Sequence, residues 1–306
     1  MDRRLPRRGP GPLDVRVLLD ELVCSRPRWR HSACSAVSST FLVTGRGAAT
    51  AAALSITSDI ISFMSGRRSD QQPAGRDSLS EASPELLAVL ESASRLQQMI
   101  PDAVLVGGSA AALYAGHRDS YDHDHVLADL RNRFDVVLEA LESEGDWVTN
   151  RVVPGKVILG QLGDIEAGVR QMIRTRPLET THVMLPSGRE LTVPTAAEAL
   201  RIKGFLIVRR NQTRDYLDVA ALADRQGLHA AAGILARIDR YYTDQHGDGR
   251  GVAAQLVRQL SDPRPKDSSV TGQLGAYRNL APRWTDWDEV RSACQQLAAE
   301  MLEAEV

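Results

Sequence analysis

Cysteine, excess charge and long apolar runs are all scarce in this chain of 306 residues. The three cysteines, Cys24, Cys34 and Cys294, lack the spacing of metal ligands, and so few cysteines exclude a disulfide framework. The formal net charge is only −2, so overall charge indicates no polyanionic partner, although local basic patches remain compatible with one. These features predict a soluble protein of a reducing compartment, and we expect a cytoplasmic location.

No apolar run reaches the roughly eighteen residues that a membrane-spanning helix needs. The nearest candidate, residues 48–64, is interrupted by serine, threonine and Asp59. The Arg-rich start MDRRLPRRGP resembles a targeting segment, but it lies too far from that broken stretch to form a signal peptide with it. No membrane association is therefore predicted.

The chain divides by composition into three parts. Residues 1–80 are rich in Pro, Arg, Gly, Ser and Ala without a sustained period, so we expect them to be largely disordered or weakly helical. Alternatively, they are a mis-annotated extension and translation starts at Met64. Residues 81–194 mix strand-like and helical stretches, whereas residues 195–306 carry helical patterns. The predicted fold class is α+β, with a small mixed β-sheet core followed by an α-helical C-terminal domain.

Helix signals mark several boundaries. Ser83 precedes a proline and a glutamate, the pattern of an N-cap. Thr195 and Glu198 form the pattern of a capping box, and Thr213 is the predicted cap of a helix that stops at Gly227. Strand-like patterns cover residues 103–106, 122–128, 146–153, 156–162 and 164–173, and a hairpin is predicted over residues 181–194.

A glycine pair follows the first apolar strand, in the segment AVLVGGS. Gly107 and Gly108 allow close approach of the backbone to a ligand, and Ser109 adds a hydroxyl at the start of a helix predicted over residues 110–115. Free N–H groups and the helix dipole at such a position favour a phosphate. The sequence therefore predicts a phosphate-binding turn here.

Two aspartates follow this turn on an extended segment. Asp122 and Asp124 are one residue apart, so their side chains share one face of a strand and repel each other unless a cation lies between them. Mg²⁺ prefers one or two carboxylates together with substrate phosphates. The two motifs together predict a site for a nucleoside triphosphate with its Mg²⁺, while the absence of Gly-Lys-Ser/Thr and of G-x-G-x-x-G excludes a P-loop and a Rossmann cofactor site.

The order GGS, twelve residues, DHD resembles the signature of the nucleotidyltransferase (polymerase-β-like) superfamily. The variant GHRDSYDHD, with His117, Arg118 and Ser120 before the acids, resembles the AbiEii/MenT group, the nucleotidyltransferase toxins of type IV toxin–antitoxin pairs. The downstream segments EALRIKGFLIVRR and TRDYLD are similar to a further motif of that group. The likeness spans about residues 103–225.

The resemblance implies roles for individual residues. Gly108 and Ser109, with Gly107 and Arg118, would contact the nucleotide, and Asp122 and Asp124 would hold Mg²⁺. Lys203 would contact a phosphate, and Asp215 would be a further essential acid, with a lesser expectation for Asp218. Spacing of seven residues places Arg210 on the same helix face as Lys203, so Arg210 joins the nucleotide-binding candidates.

A third carboxylate is missing where the superfamily often has one. Gly168 stands at the expected position, with Glu166 and Asp164 before it and Arg170 after it. Whether Glu166 substitutes, and whether Arg170 faces the nucleotide instead, both stay open at this point.

The histidines allow another hypothesis. His117, His123 and His125, together with the neighbouring aspartates, imitate a transition-metal site. On a strand, however, His123 and His125 would face away from the aspartates. We expect them to pack on the opposite face of the sheet.

The leading functional hypothesis is a Mg²⁺-dependent transferase that moves a nucleotide from a nucleoside triphosphate to a hydroxyl. By the resemblance, the acceptor is the 3′ end of a tRNA and a cognate antitoxin is the protein partner. The basic run of residues 208–214, with Arg237 and Arg240, is a candidate for phosphate-backbone contacts or a solvated turn. The alternatives are transfer to a small molecule such as an antibiotic or sugar, a His/Asp metal-dependent hydrolase, and a non-catalytic nucleotide-binding module.

Overall fold

The structure, a computed structural model, describes Leu79, residues 81–245 and residues 251–304. The predictions of disorder, or of a mis-annotated extension, for residues 1–80 lie outside the described residues apart from Leu79. Helix α1, Pro84–Met99, begins as predicted, because the Ser83 hydroxyl accepts a hydrogen bond from the Leu86 N–H at 3.0 Å.

A five-stranded mixed sheet forms the centre of the first half, in the order β1-β2-β5-β4-β3. Strands β2 and β5 run parallel, and the other neighbours are antiparallel. The strands are β1 Val104–Val106, β2 Asp122–Leu127, β3 Trp147–Val153, β4 Val157–Leu162 and β5 Ile165–Gln171. The predicted small mixed sheet is therefore present, and a separate hairpin, β6 Thr180–Met184 with β7 Glu190–Pro194, follows it.

Helix α2, Gly107–Ala115, begins immediately after β1. The sequence predicted a glycine turn and then a helix from Ala110, but both glycines and Ser109 already belong to the first helical turn. Gly107 has φ of +80°, a backbone conformation that disfavours any residue with a Cβ atom. Helix α3, Phe134–Glu142, follows β2 and packs Phe134, Val137 and Leu141 inward.

Two consecutive helices open the second half, α4 Ala196–Arg210 and α5 Thr213–Gln226. The Thr195 hydroxyl accepts from the Glu198 N–H at 3.2 Å, which confirms that cap. The Glu198 carboxylate does not complete the box, because it pairs with Arg201 instead. Thr213 is not a cap: Gln212 occupies that position, and the Thr213 hydroxyl bonds the Asp267 carboxylate at 2.8 Å.

The remaining helices of the described residues are α6 Leu228–Ala236, α7 Val252–Ser261 and α8 Trp287–Ala304, with 3₁₀ segments at Ile238–Arg240, Ser268–Ala276 and Pro282–Thr285. A search of the described residues finds no helix with the length and apolarity that a membrane span requires.

The larger hydrophobic core draws on both halves of the described chain. It joins Leu105 of β1 and Leu191 of β7 to Tyr216 of α5 and Leu256 of α7. A smaller core lies under α3 and contains residues such as Leu141. The proposed boundary at residues 194 and 195 stays a prediction, but packing across it is continuous in this structure.

Candidate functional site

Strand β2 separates its side chains as the sequence predicted. Asp122 and Asp124 lie on one face and are partly exposed, whereas His123 and His125 are fully buried on the other. His123 contacts Ser92 of α1 at 3.1 Å, so the histidine face lies against that helix. The two aspartates therefore share a face from which both histidines are excluded.

Asp122 is held by two serines that precede β2 in the chain. The Ser120 hydroxyl donates to Asp122 Oδ1 at 3.0 Å, and the buried Ser109 hydroxyl donates to the Asp122 backbone carbonyl. Ser109 thus fastens the first turn of α2 to the first residue of β2. This contact brings the glycine turn and the carboxylate together, as the sequence analysis expected.

Asp124 has a cation partner on the neighbouring strand. Arg170 Nε lies 3.1 Å from Asp124 Oδ1, and both side chains are about a quarter exposed, at 26% and 29%. In the parallel register Asp124 is opposite Gly168, and Asp122 is opposite Glu166. A Cβ atom at residue 168 would lie 2.7 Å from Asp124 Oδ1, so the glycine there makes room for the carboxylate. Arg170 therefore contacts Asp124 directly, and its contact with a nucleotide stays a prediction.

Gly108 lies in a cradle of polar groups. A Cβ atom at this position would lie 2.7 Å from the Ser120 hydroxyl and 3.0 Å from Arg118 Nη2. Gly107 faces Asp124, whose Oδ2 would be 3.4 Å from an added Cβ. The glycine pair therefore sits between the guanidinium of Arg118 and the carboxylates of β2.

A buried charge cluster centred on Asp218 lies behind Arg118. Asp218 is fully buried, and its carboxylate contacts Lys203 Nζ at 2.6 Å, His117 Nε2 at 2.7 Å and Arg118 Nε at 2.9 Å. Burial alone would raise the pKa of Asp218, but Arg118, Lys203 and His117 together hold it well below its ordinary range. Asp218 thus fixes the position of three cationic or titratable groups.

Lys203 is buried, with only 3% of it exposed. Burial lowers the pKa of Lys203, and the neighbouring Asp218 and Asp215 act in the opposite direction. The Lys203 ammonium contacts the Asp218 carboxylate of α5, which matches its charge. Lys203 therefore affects the site indirectly: it contacts Asp218, and Asp218 holds Arg118.

Arg210 and Asp215 form a second buried pair between α4 and α5. Two nitrogens of Arg210 contact the two oxygens of Asp215, both at 2.6 Å. The charge of Asp124 acts on Arg210, and the charge of Asp122 acts on Arg118. Arg210 of α4 and Arg118 of the loop before β2 therefore lie within electrostatic range of the β2 carboxylates.

The central role of Asp218 was underestimated from sequence. Asp215 and Asp218 are three residues apart, so they share a face of α5 directed at α4. That spacing was the available signal, but nothing in the pattern distinguishes an acid with one partner from an acid with three. Glu166 is exposed and lies opposite Asp122, so it stays a candidate third carboxylate.

The donor set fits a hard divalent cation. Among the described residues, no group of three or more His, Cys, Asp or Glu side chains is arranged to hold a metal ion. Two carboxylates beside a phosphate-binding turn match the preference of Mg²⁺, which takes its remaining ligands from substrate phosphates and water. A zinc or iron site built from His123 or His125 does not fit, because both rings are buried on the opposite face.

Comparison with known proteins gives no match to any family model. Among curated proteins, the heme uptake protein MmpL11 of Mycobacterium tuberculosis is 34% identical over 249 residues, covering 72% of this chain and 23% of MmpL11. The mycolic acid-containing lipids exporter MmpL11 of Mycolicibacterium smegmatis is 37% identical over 179 residues, covering 58% of this chain and 16% of its own length. This chain thus spans less than a quarter of the length of these two curated relatives. The transport activities in their names are therefore not assigned to this chain.

Solved structures with a similar fold carry nucleotidyltransferase names. The nucleotidyltransferase toxin MenT4 of Mycobacterium tuberculosis has a TM-score of 0.47 and 20% identity, over 75% of this chain and 89% of MenT4. A putative nucleotidyltransferase from H. pylori has a TM-score of 0.41 and 17% identity, over 73% of this chain and 98% of its own. At such distances, the chemistry of this chain has to be argued from its own side chains.

Proposed function

We propose that this protein is a Mg²⁺-dependent nucleotidyltransferase. The observation that carries the proposal is the pair Asp122 and Asp124 on one face of β2, fastened through Ser109 and Ser120 to the glycine turn of α2. Arg170 contacts Asp124, and Arg118 and Arg210 lie within electrostatic range of the pair. Lys203 contacts Asp218, the acid that holds Arg118. Such a surface suits a ligand that combines several phosphates with a divalent cation.

The first turn of α2 would bind the phosphates. The N–H groups at a helix start lack partners within the helix, and the helix dipole favours negative charge there. Gly108 keeps this turn open, and Arg118 supplies a guanidinium beside it. Because Asp218 anchors Arg118 with Nε at 2.9 Å, the cation is pre-oriented before any substrate arrives.

Asp122 and Asp124 are the residues that would hold Mg²⁺. When bound, the ion neutralises phosphate charge and lowers the pKa of a hydroxyl that it coordinates. Arg170 would have to share or release Asp124 on binding, and a released Arg170 is positioned to contact a phosphate.

In the transfer step, the acceptor hydroxyl oxygen attacks the α-phosphorus of the nucleoside triphosphate. The new phosphorus–oxygen bond forms as the bond to the bridging oxygen of pyrophosphate breaks, and the hydroxyl proton is lost to solvent or to a carboxylate. Arg118 and Arg210 stabilise the charge that accumulates on the leaving pyrophosphate. Asp218, which also contacts Lys203, keeps Arg118 in place.

For the acceptor, we propose the 3′ end of a tRNA, with growth arrest as the outcome and an antitoxin as partner. The support is the basic turn between α4 and α5, where Arg209 is exposed and Arg214 partly exposed. Arg210 lies between Arg209 and Arg214 in the chain, and it is within electrostatic range of Asp124. An RNA backbone lying along this turn would place its end near the carboxylates.

The test is incubation of the purified protein with each α-labelled nucleoside triphosphate and total tRNA, resolved on a gel. We expect labelled RNA with at least one nucleotide, and a loss on the order of a hundredfold or more in the near-isosteric Asp122→Asn variant and in Lys203→Met. Asp135→Asn, at an exposed acid of α3, is the matched control and should retain full transfer.

Other outcomes separate the alternatives. Transfer to an aminoglycoside or sugar, but not to RNA, would replace the tRNA proposal with small-molecule transfer. Nucleotide binding without release of pyrophosphate would indicate a non-catalytic module. Full activity of Asp122→Asn would contradict the whole assignment.

A further inference from the structure

Tyr121 is an aromatic residue in an unusual environment. It immediately precedes Asp122, and 58% of it is exposed. The other Phe, Trp and Tyr residues that the structure describes are all buried or only partly exposed. This exposed ring next to Asp122 is available to stack on a ligand.

The backbone around Tyr121 is fixed by a distant part of the chain. The Asp119 N–H donates to the Arg278 carbonyl at 3.0 Å, and the Ala281 N–H donates to the His117 carbonyl at 2.8 Å. The Asn279 side-chain amide donates to the Asp119 carboxylate, and Asn279 itself adopts φ of +50°. The loop before β2 and the segment at residues 277–281 therefore form one clasped unit, which we call the tyrosine clasp.

The clasp also positions a cation at the ring. The Arg278 guanidinium lies 5.6 Å from the centroid of the Tyr121 ring, within cation–π range. Its nearest acid, Glu85, is 4.0 Å away and both side chains are about half exposed, so this pair only weakly neutralises the arginine. An exposed ring with an adjacent guanidinium presents an apolar face and a positive charge together.

We propose that Tyr121 and Arg278 bind an unpaired nucleobase and its neighbouring phosphate at the end of the acceptor strand. A nucleobase has a π-face that stacks on tyrosine regardless of sequence, and the guanidinium of Arg278 suits the adjoining phosphate. This inference rests on the proposed function, which places the transfer reaction at Asp122 and Asp124. It adds the position at which the acceptor strand binds.

The acceptor fits this position better than the nucleoside triphosphate does. Arg118, which we assign to the triphosphate, is buried, whereas Tyr121 and Arg278 are more than half exposed. A strand that arrives from solvent meets the exposed pair first. Its terminal hydroxyl can then extend past Tyr121 toward Asp122.

The test measures binding of a short fluorescein-labelled single-stranded RNA to the full chain by anisotropy, without any transfer step. Tyr121→Ala should weaken binding about tenfold, as expected for loss of one base–aromatic stack, while Tyr121→Trp should retain it. Val148→Ala is the matched control, because Val148 is equally exposed at 58% but lies on β3. Arg278→Ala should weaken RNA binding and make the affinity less dependent on salt, because one phosphate contact is lost. Arg283 is a 52% exposed arginine over the Trp284 ring, and Arg283→Ala should leave RNA binding unchanged.

A parallel titration with ATP distinguishes the two sources of a nucleobase. Unchanged ATP affinity in Tyr121→Ala, with weakened RNA binding, supports the proposal. Weakened ATP binding with unchanged RNA binding would overturn it, as would equal RNA affinities of Tyr121→Ala and Val148→Ala. Because no chemistry is measured, RNA binding that depends on Tyr121 stands even if transfer activity is never found.

Discussion

At the scale of single residues, His123 and His125 are the most constrained side chains of β2. Both are fully buried and their rings touch edge to face, with centroids 5.2 Å apart. His123 Nε2 contacts Ser92, but neither nitrogen of His125 has a protein partner. Burial lowers the pKa of His123 to about 4 and that of His125 well below its ordinary value, so both are neutral in the folded protein at pH 7.

This burial predicts a loss of stability in mild acid. The unfolded chain binds protons at these histidines near a pKa of about 6.5, while the folded chain does not bind one at His123 until about 4, so stability rises with pH between these values. The free energy of unfolding should be highest above about pH 6.5 and decrease as the pH falls toward about 4. Urea denaturation at about pH 7.5 and about pH 5.5 measures the difference.

The variant His125→Phe provides the comparison for this prediction. Its unfolding free energy should depend less on pH over the same interval, because one of the protonating groups is gone from the unfolded chain. Equal stability of the natural protein at both pH values would contradict the expected neutral burial. The depressed pKa of Asp218 belongs to a lower interval, since its contribution is lost only as the pH falls below about 3.8.

Single residues also show where sequence reasoning succeeds and where it stops. The facing of Asp122 and Asp124 follows from strand alternation alone, and it is confirmed. The burial of Lys203 does not follow from any local pattern, because it depends on Asp218 lying opposite on the next helix. Tyr121 carries no sequence signal, since its contact with Arg278 joins residues far apart in the chain.

At the scale of elements, the start of α2 decides how the glycine turn is used. Val106 is extended and Gly107 takes a positive φ, which lets the helix begin at the strand end. A sequence pattern could locate the turn, but not the three-residue shift, because only the tertiary contact of Ser109 with Asp122 fixes it. The caps at Ser83 and Thr195 were predictable because they are local.

Gly108→Ala tests this element. The added methyl would lie 2.7 Å from the Ser120 hydroxyl and 3.0 Å from Arg118 Nη2, so these two side-chain ends must shift. We expect nucleotide affinity to fall about tenfold, with a loss of roughly 1–3 kcal/mol in stability. Calorimetric titration with a non-hydrolysable nucleoside triphosphate and Mg²⁺ measures the first effect, and urea denaturation the second.

Gly145→Ala is the control for that experiment. Gly145 has no heavy atom within 4 Å of an added Cβ, and it is not among the glycines with positive φ. This variant should bind the nucleotide like the natural protein. If both alanine variants bind equally well, Gly108 does not face the ligand.

At the scale of the whole described molecule, the continuous packing across residue 194 has a measurable consequence. Leu105 and Leu191 share a core with Tyr216 and Leu256. A fragment of residues 81–194 should therefore expose apolar surface and lack a cooperative unfolding transition. Circular dichroism and urea denaturation check this, with residues 71–306 as the cooperative control because they form one compact unit.

A fragment that unfolds cooperatively would instead support two independent domains. Composition can suggest such a boundary, because strand and helix patterns differ visibly along the chain. It does not show whether the two regions share a core, since that depends on contacts between residues more than a hundred positions apart. The α+β class was therefore predictable, and the integration of its halves was not.

The tyrosine clasp has a consequence for how the protein matures on the ribosome. Asp119 and Asn279 are 160 positions apart, yet their contact helps to order the loop that leads into Asp122. That loop cannot take its final form until Ala281 has emerged from the exit tunnel. A chain that ends before Asn279 would therefore lack these contacts, and the loop that leads into Asp122 would be left without them.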